Sequence, residues 1–141
     1  MEFSDSEEYK NKFKEITGDD HVDNILCQKE RDMLKRRNNT DYEDMYLIDS
    51  ISGKVVGTQT HSTKKFEGTY NKSLNTVISK FTENTLISLH NHPRSTPPSG
   101  PDIVSNGQRH YQKSIVVSHN GDVYIYKCGD HLFTPTLFEL V

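Results

Sequence analysis

Apolar residues fill only 32% of the 141 positions, a low share for a globular domain, and the shortage is concentrated near the N-terminus. No apolar run approaches the roughly 20 residues of a membrane-spanning helix. The polar opening Met-Glu-Phe-Ser-Asp-Ser-Glu-Glu is no secretory signal. A cytoplasmic protein without a membrane partner is therefore expected. Cysteine occurs twice, at Cys27 and Cys128, far apart and in no Cys-x-x-Cys pattern. That argues against a disulfide scaffold and against a thiolate zinc site. Long basic runs are missing too, and the formal charge is −3, so sequence-independent binding to nucleic acid has no electrostatic basis. Internal repeats and low-complexity tracts are absent. What is present is a chain long enough for one domain with a core, and it carries seven histidines.

Residues 1–40 are charge-rich and read as a helical N-terminal arm. Phe13 and Ile16 form a weak stripe in a first segment that ends near Gly18. A second begins around Asp19-Asp20, where acidic side chains suit a helix N-terminus. It carries Val22, Ile25, Leu26, Met33 and Leu34 and finishes in Lys35-Arg36-Arg37, a short basic cluster that complements the helix dipole. The expectation is a solvated helical hairpin leaning on the domain, with an interaction arm as the sharper alternative. After a polar break at 38–41, Tyr42–Ile48 and Lys54–Thr60 read as two strands of a hairpin around Ser50–Gly53. Residues 61–71 look like a loop or an irregular strand. Leu74, Val77, Ile78 and Phe81 follow at the i, i+3, i+4, i+7 spacing of an amphipathic helix.

Leu86–Leu89 is then a continuous apolar run that suits a strand covered on both faces. A helix feeding such a strand predicts an α/β domain, a sheet with packed helices. Ile103 and Val104 belong on a short helix ending at Asn106-Gly107. Ile115–Val117 and Val123–Tyr126 flank His119-Asn120-Gly121-Asp122, a strong hairpin signal. The tail, with Leu132, Phe133, Leu137, Phe138 and Leu140, is expected as a final strand or extended segment.

The chemistry concentrates in Leu86–Asp102. His90 and His92 alternate at the end of the buried strand, so they project from one face. A Pro/Ser loop then returns Asp102 within ten residues of His92. Single histidines are most often structural, but two on one face with a carboxylate beside them make a three-ligand zinc site, with the fourth position left for water. Ser99-Gly100-Pro101-Asp102 also reads as a capping box, with Ser99 as the cap and Pro101 in the first turn. The two readings are compatible, since a helix N-terminus would hold both side chains in place. Hydrolysis at such a metal needs a proton carrier as well. Glu43 and Glu67 both lie upstream of the histidines, and spacing alone does not choose between them.

His90-Asn91-His92-Pro93 with Ser99-Gly100-Pro101-Asp102 resembles the motif of the JAMM (MPN/JAB) metalloproteases. It is especially similar to the His-Asn-His-Pro form of the RadC branch and to JAB-like domains of phage and prophage head-morphogenesis proteins. The closing stretch His119-Asn120-Gly121-Asp122-Val123-Tyr124-Ile125-Tyr126 resembles theirs. The likeness covers about residues 40–127. It implies a mixed sheet flanked by helices, with residues 41–141 forming a JAMM-like zinc domain. His90, His92 and Asp102 match the family's zinc ligands, and Ser99 matches the residue that stabilises the oxyanion. Glu43 matches the family's general base, with Glu67 in reserve. The loop Pro93–Pro98 is one residue shorter than the usual motif, which bears most on Ser99. The activity implied is Zn2+-dependent hydrolysis of a peptide or isopeptide bond in a protein substrate, a phage or host protein among the candidates. The alternatives are a catalytically silent binding or assembly module of the same fold, or a RadC-like DNA-associated protein, against which the charge argues.

Overall fold

The strand that carries the histidines lies in the middle of the sheet and is buried along its whole length. The computed structural model describes residues 5–38, 40–60, 72–93, 96–128 and 138–140. In chain order the elements are α1 (Glu7–Asn11), α2 (Asp20–Arg36), β1 (Met45–Asp49), β2 (Val55–Gln59), α3 (Lys72–Lys80), β3 (Leu86–His92), α4 (Gly100–Gln108), β4 (Lys113–Ser118), β5 (Val123–Cys128) and β6 (Phe138–Leu140). The strands form one mixed sheet in the order β2-β1-β3-β4-β5-β6. β3 runs parallel to β4, and every other neighbouring pair is antiparallel. The expected α/β class holds, and so do both hairpins.

Side-chain alternation sorts the strands into two faces. Tyr46 and Ile48 of β1, Ile87 and Leu89 of β3, and Ile115 and Val117 of β4 face α1 and α2. There they share one cluster with Tyr9, Phe13, Ile16, Val22, Leu26 and Met33. On the other face Met45, Leu47 and Leu86 meet Leu74 of α3, and Ile103 of α4 meets Val116 and Tyr126. Because β3 is covered on both sides, its run needs no polar alternation, and all seven of its residues are buried.

The helices expected at the N-terminus are there, with Asp19 capping α2 through the His21 and Val22 amides. They form one layer of the domain, because their apolar stripe sits in the same cluster as the sheet. Lys12 adds a bond to the Gly121 carbonyl at 2.8 Å in the β4–β5 turn, and Lys113 reaches the Ile16 carbonyl. The basic cluster is engaged in ion pairs: Lys35 with Asp5 at 3.0 Å, and Arg36 and Arg37 with the buried carboxylate of Asp44 at 2.7 and 2.6 Å.

Several boundaries differ from expectation. α1 ends at Asn11, so Phe13 and Ile16 pack on the sheet from the turns that precede α2, and α3 ends at Lys80, one residue short of Phe81. β1 begins at Met45, and Glu43 and Asp44 lie outside the regular strand. α4 passes through Asn106-Gly107 and ends at Gln108. The left-handed residue of that end is His110, at φ 51°. Asn106 is retained in the helix because its Nδ2 donates to Ser114 Oγ of β4 at 2.8 Å, tying the helix to the sheet. The region 61–71, with Glu67, lies outside the described residues, as do tail residues Leu132, Phe133 and Leu137.

Candidate metal centre

Ser88, His90 and His92 share the α4-side face of β3, as residues two apart in a strand must. Both imidazoles are buried, and their Nε2 atoms stand 3.1 Å apart. On His92 the other nitrogen, Nδ1, lies 2.8 Å from the Thr96 carbonyl oxygen. A carbonyl oxygen can only accept, so Nδ1 carries the hydrogen and Nε2 of the neutral ring presents its lone pair to the centre. Nδ1 of His90 is buried and has no partner among the described residues.

Asp102 arrives from the first turn of α4, and the capping box is formed as its sequence implies. Ser99 Oγ accepts from the Asp102 amide at 3.2 Å, and Asp102 Oδ2 accepts from the Ser99 amide at 2.9 Å. The same carboxylate faces the histidines, with Oδ2 3.0 Å from His92 Nε2 and Oδ1 3.3 Å from His90 Nε2. Capping and convergence on the histidines are therefore simultaneous. Beneath them Ser114 Oγ links Ser88 and Asn106 at 2.7 and 2.8 Å, fixing α4 against β3 and β4.

Glu43 joins from the other side of the strand order. β1 pairs with β3 so that Met45 lies opposite His90; carried two residues further, that antiparallel register sets Glu43 opposite His92. Cross-strand partners share a face. Glu43, His90 and His92 form a buried group whose ligand atoms all lie within 4.8 Å of one another, a group that could hold a metal ion.

Burial would push the Asp102 carboxyl up, but the two imidazoles and the Ser99 amide outweigh it and hold it far below the ordinary carboxylate range. Burial would likewise lower His92, but the Asp102 carboxylate, the Thr96 carbonyl and the charge of Glu43 outweigh it and raise it. The Asp102 and Glu43 carboxylates thus favour a positive charge beside His92, where either a proton or a metal cation serves. Metal bonds of about 2.0–2.2 Å put neighbouring ligands of a tetrahedron about 3.3–3.5 Å apart. The two Nε2 atoms stand 3.1 Å apart, and Asp102 sets Oδ1 3.3 Å from His90 Nε2 and Oδ2 3.0 Å from His92 Nε2; these separations are close to or a little shorter than that spacing, so the donor set fits a small cation.

The structure brings together His90, His92, Asp102 and Glu43. Ser99 is next to them in sequence but exposed, with its hydroxyl oxygen engaged in the cap. Two contributors are not evident from sequence patterns. Thr96 orients His92 from within the Pro/Ser loop. Asn91 carries no periodic signal, because its partners are 28 and 47–49 residues away. Comparison with family models, curated proteins and solved structures finds no match to this chain. Among the described residues no helix is long and apolar enough to cross a membrane.

Proposed function

We propose that this domain is a zinc-dependent metallopeptidase of JAMM type, acting on a peptide or isopeptide amide. The observation that carries this reading is the approach of Asp102 to both His90 and His92 within 3.3 Å, with the Glu43 carboxylate grouped with the same two histidines. Two neutral imidazoles and a carboxylate are a common catalytic zinc set. Their order in the chain, with the cap residue Ser99 three positions before Asp102, resembles the family motif.

His90, His92 and Asp102 would hold the ion, His92 with its tautomer fixed by Thr96. Zinc there would supply a Lewis acid that polarises the scissile carbonyl and lowers the pKa of a water toward about 7. Glu43, on the face of His92, takes the proton of the attacking water at its carboxylate and returns it to the leaving amine nitrogen. Ser99 uses an oxygen lone pair in the cap, so its O–H proton is available to donate to the carbonyl oxygen as that oxygen gains charge. The basic side chains at the end of α2 are paired with Asp5 and Asp44, and the net charge of −3 does not favour a nucleic-acid reading.

Metal analysis of the purified protein tests the foundation. One zinc per chain is expected, lost on Asp102→Asn, which retains an acceptor for the cap and removes the charge. A wild-type protein that never takes up zinc overturns the proposal. With the metal bound, Glu43→Gln should keep zinc and lose turnover of a peptide mixture by about 10²–10⁴-fold, the usual worth of a general base.

A further inference from the structure

Asn91 lies between the two histidines but on the opposite face of β3, and it is completely buried. Its Oδ1 accepts from the Asp44 amide at 2.7 Å. An amide N–H can only donate, so the side-chain amide orientation is settled, and Nδ2 is the atom that faces the Tyr42 carbonyl at 3.1 Å. Its remaining hydrogen points to Nε2 of His119 at 3.1 Å. That nitrogen must then accept, which makes His119 a neutral ring with its hydrogen on Nδ1. Every donor of the Asn91 side chain is used.

The two backbone groups it holds, the carbonyl of residue 42 and the amide of residue 44, are those on either side of Glu43. In register, Asn91 faces Asp44 one step beyond the last paired residues of β1 and β3. The regular strand has ended there, and the Asn91 amide makes the bonds a continued ladder would have made. Asp44 is held again through its carboxylate by Arg36 and Arg37 of α2. Glu43 is thus the central residue of a segment fixed at both peptide units.

We propose that Asn91 is a positioning residue, whose side-chain amide fixes the peptide units flanking Glu43 and so sets the Glu43 carboxylate beside His90 and His92. The inference rests on the reading of Glu43 as the proton carrier. It adds that the residue between the ligands is chosen for its reach to the opposite strand. Alanine at 91 leaves the histidines and Asp102 in place but releases the Tyr42 carbonyl and the Asp44 amide. A shorter polar residue, serine, can satisfy at most one of them.

The test uses the zinc-loaded full chain and acetohydroxamate, a probe that chelates zinc through two oxygens and sets its protonated oxygen against a carboxylate. Calorimetry is expected to show Asn91→Ala and Asn91→Ser binding the probe about tenfold more weakly, the worth of one hydrogen bond to a charged group. Zinc affinity should be unchanged. Glu43→Gln should weaken the probe similarly, and adding Asn91→Ala to it should weaken it no further. A loss that persists undiminished in the Glu43→Gln background acts by some route other than Glu43 and overturns the proposal. Amide exchange separates the two readings. If Glu43→Gln leaves the probe unaffected while Asn91→Ala speeds exchange at the Asp44 amide, the clamp stands and the role of Glu43 fails. If the Asp44 amide exchanges at the wild-type rate in both Asn91 variants, the clamp fails. Should neither variant fold, a through-hydrogen-bond scalar coupling between Asp44 nitrogen and Asn91 Cγ in the wild-type protein decides the matter, and its absence overturns the clamp.

Discussion

A single carboxylate can complete two structures when both demand the same charge. Asp102 closes the capping box of α4 and faces two imidazoles; a helix N-terminus and a protonated or metallated histidine pair each favour an anion. Glu30 is the opposite case. It is fully buried in α2, its Oε2 accepts from the Tyr9 hydroxyl at 2.8 Å, and its Oε1 has no partner among the described residues. Burial, opposed only in part by the Tyr9 bond and Arg31, pushes its carboxyl up from 4.5 to about 8. Below 4.5 the group is protonated whether the chain is folded or not. As pH rises from there to 8 the unfolded chain ionises and the folded one does not, so stability falls across that window and levels off above it. Glu30→Gln, which keeps the acceptor for Tyr9, should match the wild type near pH 4 in urea unfolding. Near pH 8.5 it should exceed the wild type by about 2–4 kcal/mol.

Elements here are held at few points, and those points explain where local signals succeed or fail. The turn after β1 was legible because its reasons are local. Asp49 accepts from the Ile51 amide and the Ser52 hydroxyl, and Gly53 takes φ 76°. The Asn-Gly turn between β4 and β5 was legible for the same reason, with Gly121 at φ 99°. The end of α4 was not, because Asn106 trades its capping preference for a bond to Ser114 on another element. Nor was the start of β1, where a side chain from β3 stands in for the ladder. Packing of α3 on the hairpin depends on Gly57 of β2. A Cβ there would stand 2.8 Å from Leu74 Cδ2 and 3.2 Å from Leu47 Cδ1, both fully buried. Gly57→Ala is therefore expected to cost about 1–3 kcal/mol, the range for overpacking a filled core, measurable as a lower midpoint in denaturant unfolding with zinc content unchanged.

At the scale of the molecule, the sheet divides two unequal tasks. One face, toward α1 and α2, carries the larger apolar cluster; the other carries the smaller clusters and the candidate metal centre. The strand that bears the histidines is clamped between them. Residues 41–141 produced without the first 40 would uncover Tyr46, Ile48, Ile87, Leu89, Ile115 and Val117 together. A patch of that composition does not persist in water on a small domain. The shortened chain is expected to lack a cooperative thermal transition and near-ultraviolet dichroism, whereas a shortened chain that melts cooperatively and retains zinc would show that the helices are dispensable.

What the sequence determined by itself is what short range dictates. The alternation of His90 and His92 on a buried strand, the capping box at Ser99 and Asp102, the amphipathic stripe of α3 and both hairpins follow from spacing and turn chemistry within a dozen residues. The tertiary structure alone decided the rest. Glu43 meets His92 through the β1–β3 register, Asn91 reaches the backbone at 42 and 44, and a charge-rich N-terminal segment becomes about half of the larger apolar cluster. Periodicity states which face of an element is apolar but never what will cover it, and a polar side chain gives no local sign of a partner some 47 residues away.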